Sequence, residues 1–204
     1  MELVSGYEDM ETVSTCQWKR ANVAQERALR ADARRNREAI VAAARDVFDR
    51  DEKLRFDDFA ARAGVGVGTL YRHFPTREAL AAAVYEGEAA ALVDQARDPA
   101  RSALENLDSL LTGFAEYMVD HAGLARTLAA GVDPVVLAEG GIELERTVAE
   151  LLHQGFIDGD IPREVPVGAV MIVLHGIGSA TDRPNWAPEA RAAIDLLLAG
   201  LRAA

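Results

Sequence analysis

The sequence of 204 residues has one cysteine, Cys16. It can close no internal disulfide, and without a CxxC or Cys/His companion it builds neither a zinc knuckle nor a redox pair. A reducing compartment fits that usage. Aromatics are scarce, at six Phe, four Tyr and two Trp, and no stretch alternates apolar and polar residues at period two, which removes the main signal for strands. The longest apolar run, 165–180, contains Pro166 and His175 and is too short to cross a bilayer. No basic segment followed by an apolar one opens the chain, so no signal peptide is expected, and the reading is a cytoplasmic protein with no membrane partner. GxSxG, HExxH and phosphate-loop patterns are missing, and the GVGVG run at 64–68 has no strand ahead of it. His121, His153 and His175 fall on three separate expected helices. They read as singly satisfied or surface histidines, so no catalytic residue, metal or cofactor is expected.

What is present favours helix. Half of the residues are hydrophobic, and alanine, leucine, arginine and glutamate dominate. The formal net charge is −11, which at first opposes a nucleic-acid partner, but its distribution reverses that impression. Between Gln17 and Arg77 there are 14 Lys/Arg against 9 Asp/Glu, whereas the remainder holds 8 against 24. A basic head that meets phosphate on an acidic body accounts for this asymmetry, and so does an arginine-coated helix with no partner.

Residues 1–16 are acidic and without periodicity, and are expected to form a mobile tail. The segment 18–37 gains Lys19, Arg20, Arg27, Arg30, Arg34, Arg35 and Arg37, either as an arm or as an extension of the first helix. Ile40, Ala44, Val47 and Phe48 repeat at the helical period between about Arg34 and Arg50. Two short segments follow, FDDFAARAG and VGTLYRHF, joined by a turn at Gly64 to Gly66. Pro75 and Thr76 open a fourth helix with Glu78 in its first turn. A long helix from about Ser102 to His121 carries Leu104, Leu107, Leu111, Phe114 and Met118 on one stripe. Another runs from Pro134 to about Gly155, with Gly140 and Gly141 expected to weaken or kink it. The run 167–179 is apolar nearly all round, and a last amphipathic helix contains Ile194, Leu197, Leu198 and Leu201. The expected fold is all-α. Residues 1–30 form a flexible tail or arm, 31–78 a three-helix helix-turn-helix domain, and 79–204 a helical domain for ligand binding and dimerisation.

The informative stretch is FDDFAARAGVGVGTLYRHFPTREAL, 56–80. Two short helices that cross steeply need a small residue where their backbones approach and a turn residue tolerant of positive φ. Ala60 and Gly64 sit four apart in those roles. Phe59, Ala63, Val65 and Leu70 then face inward, while Gly66, Val67, Thr69, Tyr71 and Arg72 project from the second helix, the element that enters a major groove. Thr69 suits a base or phosphate, Tyr71 a phosphate or thymine methyl, and Arg72 guanine or backbone. His73 and Arg77 suit phosphate positioning, as does Arg55 at the start of the first short helix.

These residues resemble a known family. RAGVGVGTLYRHFPTREAL, preceded by RRNREAIVAAARDVF, is similar to the TetR-type signature over about Arg34 to Tyr85, and the remainder agrees in length and helix pattern. The resemblance implies a homodimer that binds palindromic double-stranded DNA and releases it when a small molecule enters the C-terminal domain. It makes Thr69, Tyr71, His73 and Arg77 DNA contacts. It also implies a ligand pocket, here lined by Phe114, Tyr117, Met118, His121, Leu144, Val148, Met171 and His175. Two departures stand out: Gly66 replaces a frequent capping serine, and Val67 replaces a polar reader. The turn 49–55 also lacks the family's usual glycine. Dimerisation is expected through 167–179 and 187–201, where Gly168, Ala169, Gly176, Gly178 and Ala180 permit close crossing and Leu197, Leu198 and Leu201 add area. Those small residues have an alternative use in packing within one subunit. Two competing functions stay open: a DNA-bound protein controlled by a protein partner, and a small helical enzyme or adaptor.

Overall fold

A computed structural model describes residues 8–49, 54–131 and 134–202. Among them are nine helices and no strand: α1 (Glu8–Asp49), α2 (Asp58–Arg62), α3 (Val67–His73), α4 (Arg77–Gln95), α5 (Ala103–Asp120), α6 (Ala122–Gly131), α7 (Pro134–Asp158), α8 (Val167–Ser179) and α9 (Trp186–Arg202). The first helix runs back through the arginine-rich segment to Glu8, so residues 8–16 are helical where a tail was expected. No glycine or proline interrupts 8–49. Residues 1–7 and most of the turn 49–55 lie outside the described residues. α7 passes through Gly140 and Gly141 as one element.

Local chemistry sets the helix ends. The Thr76 hydroxyl accepts from the Ala79 amide at 3.1 Å and opens α4. At α5 the Ser102 hydroxyl accepts from the Glu105 amide while the Glu105 carboxylate accepts from the Ser102 amide, at 3.1 and 2.7 Å, so two orphan donors are satisfied reciprocally. Gly64 has φ +68° between α2 and α3, a left-handed conformation that costs a side-chain-bearing residue about 1–2 kcal/mol. Gly155 serves a different need, because a Cβ there would lie 2.9 Å from the buried Ile161 side chain that folds back under the end of α7.

Two apolar cores result. Ile40, Ala44, Val47 and Phe48 of α1 pack with Phe59 and Ala60 of α2, Leu70 and Phe74 around α3, and Leu80, Ala81 and Val84 of α4. Leu124 and Leu128 of α6 close this first core from below. The second core joins Val93 of α4 to Leu107, Leu110, Leu111 and Phe114 of α5, Leu144 and Val148 of α7, and buried faces of α8 and α9. The expected boundary at 78/79 falls inside α4, which runs unbroken from one core to the other. Leu80, Ala81, Ala82, Ala83 and Val84 are five consecutive buried residues, so this part of α4 has no solvent face.

The outer helices correct the expected role of the α9 leucines. On α9, Ile194, Leu198 and Leu201 are buried in the chain's own core and Leu197 is half-buried, so these leucines do not form a free face. The helical period turns Leu196 outward instead, 74% exposed. On α8, a Cβ at Gly178 would rest 3.6 Å from Met118, whereas one at Gly168 or Gly176 would meet nothing within 4 Å. Trp186 is a packed anchor, its indole N–H donating at 2.7 Å to the Ile177 carbonyl at the end of α8. No described helix is long and apolar enough to cross a membrane.

Because only glycine holds φ +68° without steric cost, Gly64→Ala is expected to lower stability by about 1–2 kcal/mol in urea unfolding. An unchanged midpoint would show that the α2–α3 turn relaxes freely.

Candidate nucleic-acid interface and C-terminal cavity

Leu70 and Phe74 pin α3 to the first core and leave Gly66, Val67, Gly68, Tyr71 and Arg72 exposed, with Thr69 and His73 half-buried between them. The expected reading face is therefore outward. Gly66 stands at the N-cap of α3 with extended backbone and no side-chain cap, and Val67, 46% exposed, offers only apolar contact. Arg72 carries the positive charge of this face. The His73 ring is tilted by 46° against that of Phe74, centroids 6.4 Å apart.

Tyr71 is exposed but engaged. Its phenol donates at 2.8 Å to Asp57, the N-cap residue of α2, and its ring meets the edge of Phe56 at 5.3 Å. The hydrogen bond to Asp57 is the main cause of a pKa raised above the ordinary 10.0, so the phenol stays a neutral donor near pH 7. It locks α3 against α2, and a phosphate oxygen would have to compete with a carboxylate for its proton. Asp57 is the residue that the sequence reading missed. It stands at the N-cap of α2 but makes no cap hydrogen bond. Arg55 is exposed beside this pair, close enough for its charge to act on Tyr71.

Arg77 does not join the outward set. Its guanidinium lies 5.2 Å from the Phe48 ring centroid and 5.1 Å from that of Phe59, and donates at 2.8 Å to the Leu54 carbonyl. One side chain thus ties α1, the entry to α2 and the start of α4. Such cation–π contacts contribute about 0.5–2 kcal/mol each as solvent is excluded, which favours a structural role over phosphate contact.

In the C-terminal half, Phe114, Met118 and His175 line an apolar cavity of about 70 Å³ together with Tyr85, Leu128, Ala129, Leu174, Gly178 and Ser179. The other expected lining residues lie elsewhere. Leu144 and Val148 are sealed in the α5–α7 core and Met171 is buried among its neighbours. Tyr117 and His121 stack on each other at 4.2 Å, with the His121 Nδ1 2.7 Å from the Tyr117 carbonyl. Residues one turn apart on α5 share a face, but neighbouring helices cover part of it, which sequence spacing does not reveal. Tyr85 was missed because it belongs to α4. Its ring meets Phe114 edge-on at 6.4 Å, and burial pushes its phenol pKa up to about 12. His153 is exposed on α7. Among the described residues no group of three or more His, Cys, Asp or Glu is placed to hold a metal ion.

If Arg77 is structural, Arg77→Ala should lower stability by about 1–3 kcal/mol in urea unfolding, while the still-folded variant keeps its DNA affinity within about threefold. A stable variant with strongly weakened DNA binding would return Arg77 to the interface.

The comparisons agree with this geometry. A model for bacterial regulatory proteins of the tetR family matches residues 40–84, and one for the C-terminal domain of SbtR-like transcriptional regulators matches 103–203. A TetR transcriptional regulator from Streptomyces coelicolor is 32% identical, with a TM-score of 0.55 over 81% of this chain and 98% of that one. A TetR regulatory protein from Mycobacterium vanbaalenii is 31% identical, with a TM-score of 0.52 over 86% and 99%. An HTH-type transcriptional regulator from Staphylococcus aureus is 30% identical over 108 residues, 50% of this chain and 58% of the relative, so the match spans little more than half of that protein. The chain belongs to the TetR family of DNA-binding transcriptional regulators, which are transcription factors and not enzymes.

Proposed function

We propose that this regulator is a homodimeric repressor that binds a palindromic operator and releases it when a small apolar molecule enters the C-terminal domain. The outward face of α3 carries the reading: Thr69 and Arg72 contact base edges or phosphate, Val67 meets a thymine methyl, and Arg55 and His73 contact backbone. Tyr71 acts by holding α3 on α2 through Asp57, and Arg77 supports the fold.

The dimer is assigned to α8 and α9. Gly168, Ala169, Ile172 and Gly176 share an exposed face of α8, and Ala192, Leu196, Ala199 and Gly200 share one on α9. Ile172 and Leu196 are 73% and 74% exposed, and a Cβ at Gly168, Gly176 or Gly200 would meet nothing within the chain. Small residues without an internal reason to be small, around one large apolar residue per helix, fit the self-complementary contact of a two-fold axis.

The effector site is the cavity bounded by Tyr85. Because Tyr85 stands on α4, occupancy there would shift the helix whose other end supports α3, and linkage would weaken DNA binding. A volume of about 70 Å³ is far below the roughly 300 Å³ at which small-molecule sites begin, so an effector there would have to select an expanded state. The same small volume favours a second reading, control by a protein partner with no small-molecule effector. A thermal-shift screen separates the two: a stabilising compound that also releases DNA supports the first, and none across a broad metabolite set supports the second.

Duplexes selected from a random pool by the wild-type chain provide the test of the interface. Thr69→Ala with Arg72→Ala should weaken binding at least ~10-fold, since a good base contact is worth about 1–3 kcal/mol. Ile172→Glu should produce monomers in analytical ultracentrifugation. Unchanged affinity in the first variant, or an intact dimer in the second, contradicts the assignment.

A further inference from the structure

We propose that the N-terminal part of α1 is a second DNA-contacting element, in which Arg27, Arg30 and Arg34 reach phosphates of the duplex flanking the site read by α3. The proposal rests on the DNA-binding reading above and extends it to a surface outside the helix-turn-helix.

Three observations converge. First, residues 25–38 of α1 are exposed apart from half-buried Ala31 and Asn36, so this segment packs on nothing that would explain it. A helix left exposed on nearly every side, with Leu29 61% exposed among its charges, is sustained by its own ion pairs or by a partner. Here the internal support is an exposed Glu26–Arg30 pair at 3.3 Å, an exposed Arg34–Glu38 pair at 3.5 Å and a contact between Arg35 and Asp32, and exposed pairs of this kind contribute little.

Second, Arg27, Arg30, Arg34 and Arg37 are spaced by three, four and three, so they form one stripe at about 100° per residue. Arg20 falls in the same register in the sequence. Glu26 and Glu38, at the two ends of the segment, share that face and pair with Arg30 and Arg34, while Asp32 points to another side of the helix, so the stripe carries four guanidinium groups against two carboxylates. Within the fold the register is absorbed by Val41 and then by Arg45, which pairs with Glu88 of α4 at 2.5 Å.

Third, the stripe is continuous with the reading head. The Arg37 guanidinium lies 5.2 Å from the ring centroid of Phe74, the C-cap residue of α3. The inner end of the stripe therefore touches the end of the recognition helix, and the other arginines extend outward from that point. At about 1.5 Å per residue, Arg37 to Arg27 covers about 15 Å, the length of about four base pairs at roughly 3.4 Å each. A positive stripe that begins at the reading helix and leaves the protein body matches a flanking sugar–phosphate strand in sign and length.

The partner is double-stranded DNA contacted through its backbone, so charge is required and guanidinium geometry is not. The probe is one duplex selected from a random pool by the wild-type chain, resynthesised as the selected core alone and with 10 added base pairs on each side. The full chain carrying Arg27→Ala, Arg30→Ala and Arg34→Ala should bind the short duplex as wild type does. It should bind the long duplex ~10-fold or more weakly at low salt, with a salt slope shallower by about 2.7 per chain. Alanine at exposed helical positions keeps the helix, which circular dichroism checks. The corresponding triple lysine variant should retain most of the long-duplex affinity. Equal binding of the alanine variant and wild type to both lengths overturns the proposal. Failure of lysine to rescue overturns the backbone contact. A wild-type chain that selects no duplex overturns the DNA-binding reading and this proposal with it.

Discussion

Helix α4 is buried on every side where it leaves the reading head, and the other elements are arranged around that fact. A helix with five consecutive buried residues cannot lie on a surface. It must be wedged, here with α1 and α6 on the side of the first core and α5 and α7 on the side of the second. Arg77 at its first turn is clasped by Phe48 and Phe59, and Tyr85, two turns later, lines the C-terminal cavity. The attitude of α3 is thus fixed through α4 by the packing of both halves, and no flexible linker between them decouples the two.

Burial, not ion pairing, holds this arrangement. The long-range pairs Arg97–Glu143, Arg191–Glu116 and Arg62–Asp46 join partners whose side chains are 34–44% exposed, and exposed pairs contribute about 0–1 kcal/mol each. A single fully buried leucine such as Leu80, Leu107 or Leu111 contributes about 1.5–3 kcal/mol. The ion pairs refine register between helices whose positions are set by the apolar residues.

Features governed by local chemistry were legible in the sequence. Thr76, Ser102 and Gly64 mark their helix ends by rules that act within four residues, and Ile40, Ala44, Val47, Phe48, Phe59 and Leu70 turned inward as their period required. The outward face of α3 followed from the same spacing. Features that depend on which helix lies alongside were not legible. That the Arg77 guanidinium lies over two aromatic rings from other helices, and that Tyr71 bonds Asp57 from 14 residues away, are pairings that spacing does not show. On α9 the choice between Leu196 and Leu197 as the outward residue is a rotation of 100°, settled only by how α9 rests on α5 and α8. Of the eight residues expected around the cavity, three line it, because period identifies a buried face without telling a sealed core from a cavity wall.

The central claim is that one rigid body presents α3 to DNA, with α4 as its support. Hydrogen–deuterium exchange of the full chain, free and bound to a selected duplex, tests it most directly. The account predicts new protection in 66–73 and in the arginine stripe of α1, with the amides of α4 already slow and unchanged. Rapid exchange across 80–84 in the free chain, or protection confined to α8 and α9 on adding DNA, would contradict it.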